Sequence, residues 1–351
     1  MVTWRHLFAQ SGLDIVFRAD DPTSWNETHA RLLFRPVDYM SSALDYHLAY
    51  HRGHGGDWHE ASCVLLLDNA PVGLWPLTFN CVGGADQNDQ RMLVMPPLFI
   101  DTCPAGTVKT YTAECLSIAH RLAVELGLAQ WSSESRYVGR RDIDRWHTVA
   151  MEQGAVCKVQ HDLFVDLALT LPEIKSCFRR SYRSLVTSGS RLWRVEVVGA
   201  PGDAAVWDEF RQLHATVAGR VTRSLESWQL QHEALANDEG FLVVLRDEDE
   251  RMVGAGYFMC SSDEGLYAVG AYDRSLFSKP LGHVVQYRAI TELKQRGCRW
   301  YRIGTHCFPG DQPTPSAKEL SIASFKEGFA SHAFPGFVLT RATDECVRQA
   351  E

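Results

Sequence analysis

The chain has no C-x-x-C pair among its ten cysteines, and its fourteen histidines form neither H-E-x-x-H nor a zinc-ribbon spacing. The ordinary frameworks for a structural metal are therefore missing, and we expect no metal and free thiols. There is no G-x-S-x-G, no Walker loop and no cysteine in a recognisable nucleophile context, so the usual motifs of covalent and P-loop chemistry are also absent. No apolar run approaches the roughly 18 residues of a membrane-crossing helix. The longest, 63–67 and 92–100, are strand-sized and end or break at Asp68 or at Pro96 and Pro97. Residues 1–17 carry no continuous apolar stretch and no small-residue cleavage site, so they do not read as a secretory signal. The cytoplasm is the expected compartment, with no integral membrane segment, and it suits unpaired thiols. Basic residues number 35 against 43 acidic ones, a net charge of -8. Coating of nucleic acid by clustered lysine and arginine is not expected, and DNA is excluded as a partner, although a local basic groove stays open.

What is present is an ordinary globular composition, 45% hydrophobic and 22% charged over 351 residues, enough for two domains with a core each. One pattern appears twice. Residues 63–67, a turn at 68–71 and residues 72–79 read as strand, turn, strand. Residues 241–245, a charged turn at 247–251 and residues 252–258 read the same way, and both pairs carry Val-Gly just after the turn. A further apolar segment follows each pair, 92–100 or 266–272. Then comes a helix with a glycine stop. Val108, Tyr111, Cys115, Ile118, Leu122 and Leu126 lead to Gly127, and Val285, Ala289, Ile290 and Leu293 lead to Gly297. Strands at 129–132 and 299–303 close the two units. The fold class is therefore α/β, with mixed central sheets and helices on their faces. The expected domains are 1–165 and 166–351, the second carrying most of the active site. Helices at 171–186 and 203–217, the latter with Asp203 as N-cap, introduce the second copy.

Four clusters could carry chemistry. No acid occurs from Ser176 to Arg194, a stretch holding Arg179, Arg180, Arg183, Arg191 and Arg194, and guanidinium forks suit phosphate or carboxylate. The alternative is a solvated helix face. Arg220 and Arg223 lie in a glycine-containing segment before Trp228, which reads as an anion grip or as a plain connection with Trp228 in the core. The run 267–287 contains Tyr272, Asp273, Arg274, Lys279, His283, Gln286 and Tyr287. It passes from a strand to a helix start at the carboxyl edge of a sheet, where ligands bind in open α/β folds. Lastly, His306 follows a strand at the same edge. The segment that contains Lys318, Glu319 and Lys326 places a lysine between aromatics, where its ammonium can bind a carboxylate or polarise a carbonyl. A snorkelling surface lysine is the alternative. The pair Gly254 and Gly256 lies inside a strand and reads as a packing feature.

These residues resemble the Fem-type (FemAB-like) transferases of the GNAT acyltransferase superfamily, in an armless two-domain form. The most specific part is the 283–304 segment, with its helix, glycine stop and strand, followed by a proline-rich loop and Phe325-Lys-Glu-Gly-Phe329. As architecture the resemblance covers most of the chain, and as motif about residues 176–330. It implies two tandem GNAT-like (acyl-CoA N-acyltransferase) domains and an acyltransferase or aminoacyltransferase of EC class 2.3, in which an amine attacks an activated ester. The donor would be a co-substrate, aminoacyl-tRNA or acyl-CoA, with no permanently bound cofactor and a charged tRNA as a candidate partner. The acceptor would be a small-molecule, glycan or peptide amine, with an amino sugar of surface polysaccharide biosynthesis as one candidate. Lys326 falls on the family's Phe-Lys lysine, and Arg180 and Arg183 on its basic helix. The chain departs from the pattern in lacking a helical arm between Tyr182 and Phe241. It also lacks the pyrophosphate loop Q/R-x-x-G-x-G/A across 274–283, which leaves the choice of donor open. On this reading Lys326 stabilises the oxyanion and Asp273, His283 or His306 receives the amine proton. Arg180, Arg183, Arg220, Arg223 and Lys279 hold an anionic part of donor or acceptor. The rival is a glycan- or nucleotide-binding protein without catalysis on the same fold.

Overall fold

The computed structural model describes residues 4–82, 91–139 and 143–343. Two compact units divide the chain: Met1–Gln160 with Pro335–Glu351, and His161–Phe334. The expected division at 165/166, with a second domain running to the end, is therefore displaced. The boundary falls inside one continuous strand, Val156–Asp166, where composition gives no signal, and the last segment belongs to the first unit.

In the first unit, α1 (Arg5–Ala9), β1 (Asp14–Phe17), α2 (Pro22–Ala30), α3 (Ser41–Gly53) and β2 (Trp58–Glu60) precede the expected hairpin. That hairpin is β3 (Cys63–Leu67) with β4 (Ala70–Trp75). It turns through Asp68 and Asn69, both at positive φ, which these two residue types tolerate. The second strand was expected to run to 79 but stops before Pro76, because proline brings no N–H to a ladder. β5 (Leu77–Asn80) then enters a different sheet. Pro96 and Pro97 likewise split 92–100 into β6 (Met92–Val94) and β7 (Leu98–Phe99), again in two sheets. One sheet runs β1-β3-β4-β7. The other contains β2, β5, β6 and β8 (Gln130–Ser135), with residues 337–342 antiparallel to β8. Between β6 and β8, which are parallel, lies α4 (Ala105–Glu125). It buries Tyr111, Cys115, Ile118 and Leu122 against Trp75, Phe79 and Trp131, following the 3.6-residue periodicity. α5 (Arg145–Glu152) follows, capped by Asp144.

The second unit begins with the 161–166 part of β9 (Val156–Asp166) and continues through α6 (Leu171–Cys177) and α7 (Arg180–Leu192). A single helix over 171–186 is expected, yet Phe178 and Arg179 are extended, with ψ of 147° and 134°. The break leaves no trace in the periodicity, because Ile174, Phe178 and Tyr182 all reach the same core. β10 (Arg194–Val198), α8 (Ala204–Ala218) and α9 (Leu225–Ala236) come next, and Asp203 caps α8 by accepting from the N–H groups of Ala205 and Val206. The meander β11 (Gly240–Arg246), β12 (Met252–Cys260) and β13 (Glu264–Tyr272) leads to α10 (Leu281–Gln295) and β14 (Trp300–His306). α11 (Ala317–Glu327) and the start of β15 (His332–Ala342) complete it. Strand order is β10-β11-β12-β13-β14-β9, antiparallel except for β13 with β14. Each unit thus contains two parallel strands joined by one long helix, the repeated element the sequence announces. Gly256 lets α10 approach the sheet: a Cβ there would lie 2.8 Å from Cγ1 of Val285. Arg302 and Glu264, almost fully buried, pair at 3.0 Å on neighbouring strands.

Candidate active site

The carboxyl end of β14 is where the second unit gathers its polar groups. A bulge between Arg302 and Gly304 shifts the pairing with β9, after which Gly304, Thr305 and His306 oppose Leu163, Asp162 and His161 in regular register. Gly304 has φ +143° and faces the end of Lys326, whose Cε would lie 3.0 Å from a Cβ built there. Only glycine gives the half-buried lysine this space. The Lys326 ammonium lies 5.7 Å from the centre of the Tyr267 ring on β13, within cation–π range. Thr305 and His306, the last two residues of β14, follow Gly304 directly. Thr305 donates to the buried Asp162 carboxylate at 2.9 Å. The His306 ring packs edge-on to Phe308 at 4.4 Å, and its Nδ1 is buried with no hydrogen-bond partner among the described residues.

Behind Lys326 lies a tyrosine network. The hydroxyls of Tyr267 and Tyr272 are 3.0 Å apart, and Tyr301 donates to Oε1 of Gln286, which α10 buries completely. Burial pushes the Tyr267 phenol up to about 12, and those of Tyr272 and Tyr301 well above their usual range. All three are therefore neutral hydrogen-bonding groups near pH 7. His283, in the first turn of α10, stands in an aromatic cage, 4.4 Å from the ring of Tyr182, 5.2 Å from Phe325 and 5.9 Å from Phe329. Burial lowers its pKa to about 4, so the imidazole is neutral.

The other residues singled out in the sequence disperse. Asp273 caps a short 3₁₀ turn, accepting from the N–H and hydroxyl of Ser275, and meets Arg251 at 3.6 Å. Those hydrogen bonds to Ser275 hold its carboxyl below the usual range. Arg183 folds back onto the carbonyls of Phe178 and Ser176 at the end of α6, while Arg180 is exposed at the start of α7. Glu319 closes a capping box with Ser316 on α11, and Lys318 and Arg274 are exposed. Lys279 lies over Trp193 at 5.4 Å. Tyr287 turns toward Phe178 and the Lys175 ammonium, away from the buried Gln286. Trp228 belongs to the core, edge-on to Trp207 and Phe210.

Arg220 and Arg223 line a hollow of about 210 Å³ beside His214 and Arg211, between α8 and α9. Arg223 lies 3.1 Å from Nε2 of His214 and 5.4 Å from the centre of the Trp228 ring. Burial first, and then the Arg223 charge, lowers the His214 pKa to about 4. The neutral imidazole therefore receives a hydrogen bond from Arg223. In the first unit Asp57, His59 and Cys81 bring one potential ligand atom each within 4.8 Å of one another, a grouping invisible to linear motif spacing. The nine described cysteines are free thiols.

Sequence reasoning missed Gly304 and the cage residues Tyr182 and Phe329. A glycine interrupting the apolar strand Trp-Tyr-Arg-Ile before Thr-His was the available signal for the first.

Residues 175–313 match the family model described as an acetyltransferase (GNAT) domain. The described fold is similar to FemX, with a TM-score of 0.66 at 13% identity over 93% of this chain and 97% of that one. It is also similar to L-PGS from Bacillus licheniformis, with a TM-score of 0.53 at 16% identity over 77% of this chain and 81% of that one. A tandem GNAT protein from the clavulanic acid biosynthesis pathway aligns with a TM-score of 0.51 at 13% identity, over 94% and 98% of the two chains. No curated protein matches the sequence significantly. The class is thereby defined: a mixed α/β protein with two GNAT-like domains. Within it the chain is similar to FemX in fold, and the stretch that matches the acetyltransferase (GNAT) domain model, residues 175–313, lies in its second unit.

Proposed function

We propose that the chain is an acyl or aminoacyl transferase that moves an activated acyl group onto an amine, with its reaction centre at the carboxyl end of β14. The observation that carries this reading is the Lys326 ammonium held against Gly304 and over Tyr267, at the end of the strand whose last residue is His306. An ammonium fixed before the reaction stabilises the oxyanion formed when an amine adds to a carbonyl. His306 is the base best suited to take the amine proton, because its Nδ1 has no hydrogen bond among the described residues and Asp273 is engaged in capping. His283 instead supports the site, its cage setting the start of α10 against the Phe325–Phe329 segment. When the tetrahedral intermediate collapses, the acyl carbon keeps its new bond to nitrogen. The thiol of coenzyme A or the ribose hydroxyl of a tRNA departs, accepting a proton. Arg220 and Arg223, in their hollow, offer positive charge to an anionic part of a substrate. Arg180, exposed at the helix start, offers a second such group.

FemX, L-PGS and the tandem GNAT neighbour support the acyl-transfer class through their shared fold, and an amino sugar of a surface polysaccharide is our candidate acceptor. The site lies in a cytoplasmic protein on this reading. The test is to incubate the protein with radiolabelled acetyl-CoA, or with tRNA charged with labelled amino acids, together with candidate amines. Label is expected in the amine product from one of the two donors. Inactivity with both donors, alongside measurable binding of a glycan or nucleotide, would replace this reading with that of a non-catalytic binding protein.

A further inference from the structure

The first unit holds a separate constellation of groups. Ser135 ends β8, and its Oγ lies 2.6 Å from Nε2 of His147. His147 stands in the first turn of α5, with Nδ1 2.6 Å from Oδ1 of Asp144, the residue that caps the helix. The Asp144 backbone N–H also reaches Nδ1, at 3.3 Å, to complete a capping box, but the carboxylate contact at 2.6 Å is the shorter of the two and places the ring proton on Nδ1. Nε2 is then the basic nitrogen, and the Ser135 hydroxyl donates to it. Carboxylate, imidazole and hydroxyl in this order and tautomer form the arrangement that makes a serine nucleophilic, whatever the fold or the order in the chain. The chain order here is Ser, Asp, His, and no nucleophile motif announces it.

A purely structural role accounts for part of this. Asp144 accepts from the His147 N–H as a cap, but capping needs no serine. The Ser135 hydroxyl also has the Phe337 carbonyl at 3.3 Å, yet its shorter contact is to the imidazole. The three groups border a recess of about 20 Å³, whose walls include Tyr39, Leu98 and Phe337, with Arg136 next to Ser135. A recess of this size holds about one water molecule, so only the carbonyl end of a very short acyl group fits against Oγ. Ser135 is 8% exposed and His147 3%, which keeps bulk water from competing for Nε2.

We infer that Ser135 is a nucleophile that accepts an acetyl-sized acyl group from an activated ester or thioester. Oγ bonds to the carbonyl carbon while Nε2 of His147 takes the hydroxyl proton. Collapse of the intermediate breaks the bond to the leaving oxygen or sulfur, which receives that proton and departs as an alcohol or thiol. Water then repeats the sequence on the acyl-serine, releasing the carboxylic acid and restoring the hydroxyl. Asp144 holds the ring in place and stabilises the imidazolium in each half.

Methanesulfonyl fluoride, an acetyl-sized probe from which a serine displaces fluoride at sulfur, tests this with the full-length protein. Mass spectrometry of the intact protein and of its peptides is expected to find one adduct, on Ser135. The D144N and H147Q variants, checked for folding by thermal melting, are expected to react ~10²–10⁴-fold more slowly. With 4-nitrophenyl acetate the wild type is expected to release nitrophenolate, and with the hexanoate ester to release far less. No adduct on folded wild-type protein, an adduct elsewhere, or equal rates in a folded H147Q variant would each overturn the inference. Peptide mapping needs only the wild type, so a variant that fails to fold does not shield the proposal.

Discussion

Replacing Gly304 by alanine strikes the point where backbone geometry and the Lys326 charge meet. The φ of +143° is one that side-chain-bearing residues rarely adopt, and the new Cβ would lie 2.9 Å from Cδ and 3.0 Å from Cε of Lys326. Backbone strain at such a position costs about 1–3 kcal/mol, and in a unit of this size each kcal/mol lowers Tm by roughly 2–4 °C. The lysine end, the more flexible of the two partners, must yield, so the ammonium leaves its position over Tyr267. If that charge stabilises the oxyanion, its displacement lowers kcat by ~10²–10³-fold. K326M removes the same charge with no strain at residue 304, so it is expected to lose turnover comparably while melting close to wild type. The assay pairs transfer kinetics, measured with whichever labelled donor the wild type accepts, with thermal denaturation of all three proteins. Wild-type turnover in K326M, or a G304A variant that melts lower yet transfers at full rate, would refute the reasoning.

Three further outcomes are expected. H306Q should lower kcat by ~10²–10⁴-fold with little change in Tm. His283 titrates at about 4 in the folded chain against 6.5 unfolded, so between these values the unfolded chain binds more protons and stability falls as pH drops. In H283F, Tm should therefore decline less than in wild type between pH 6.5 and 4, with no difference in slope above pH 7. R302M removes the cation 3.0 Å from the Glu264 carboxylate, which is 1% exposed, and should cost about 3–5 kcal/mol in urea unfolding. The double variant R302M/E264L, which leaves no buried charge at that point, should recover most of it.

Much of the fold could be read from order along the chain. The doubled hairpin, helix and strand pattern, the Asp203 cap and the Gly127 stop depend on local periodicity and local backbone conformation, and each reappears in the structure. The domain boundary was not legible, because it lies within β9 and because residues from Pro335 onward belong to the first unit. The break at Phe178 was hidden for a related reason: an extended two-residue link keeps the apolar side chains on one core, so the hydrophobic pattern runs through it. The prolines at 76, 96 and 97 were visible, but their effect of sending neighbouring strands into separate sheets was not.

Among site residues, the sequence by itself determined which chemical groups were available and that the 267–287 run and the Lys326 segment lay near a sheet's carboxyl edge. Only the tertiary structure decided which of them meet. It set Lys326 against Gly304 and engaged Arg183, Glu319 and Asp273 in closing helix and turn ends. It also aligned Ser135, His147 and Asp144 from the end of a strand and the start of a helix. The physical reason is range. Propensity, capping and periodicity act over a few residues, whereas whether a charged or nucleophilic side chain faces a substrate, a carbonyl or another side chain depends on packing between distant segments, which spacing along the chain does not encode.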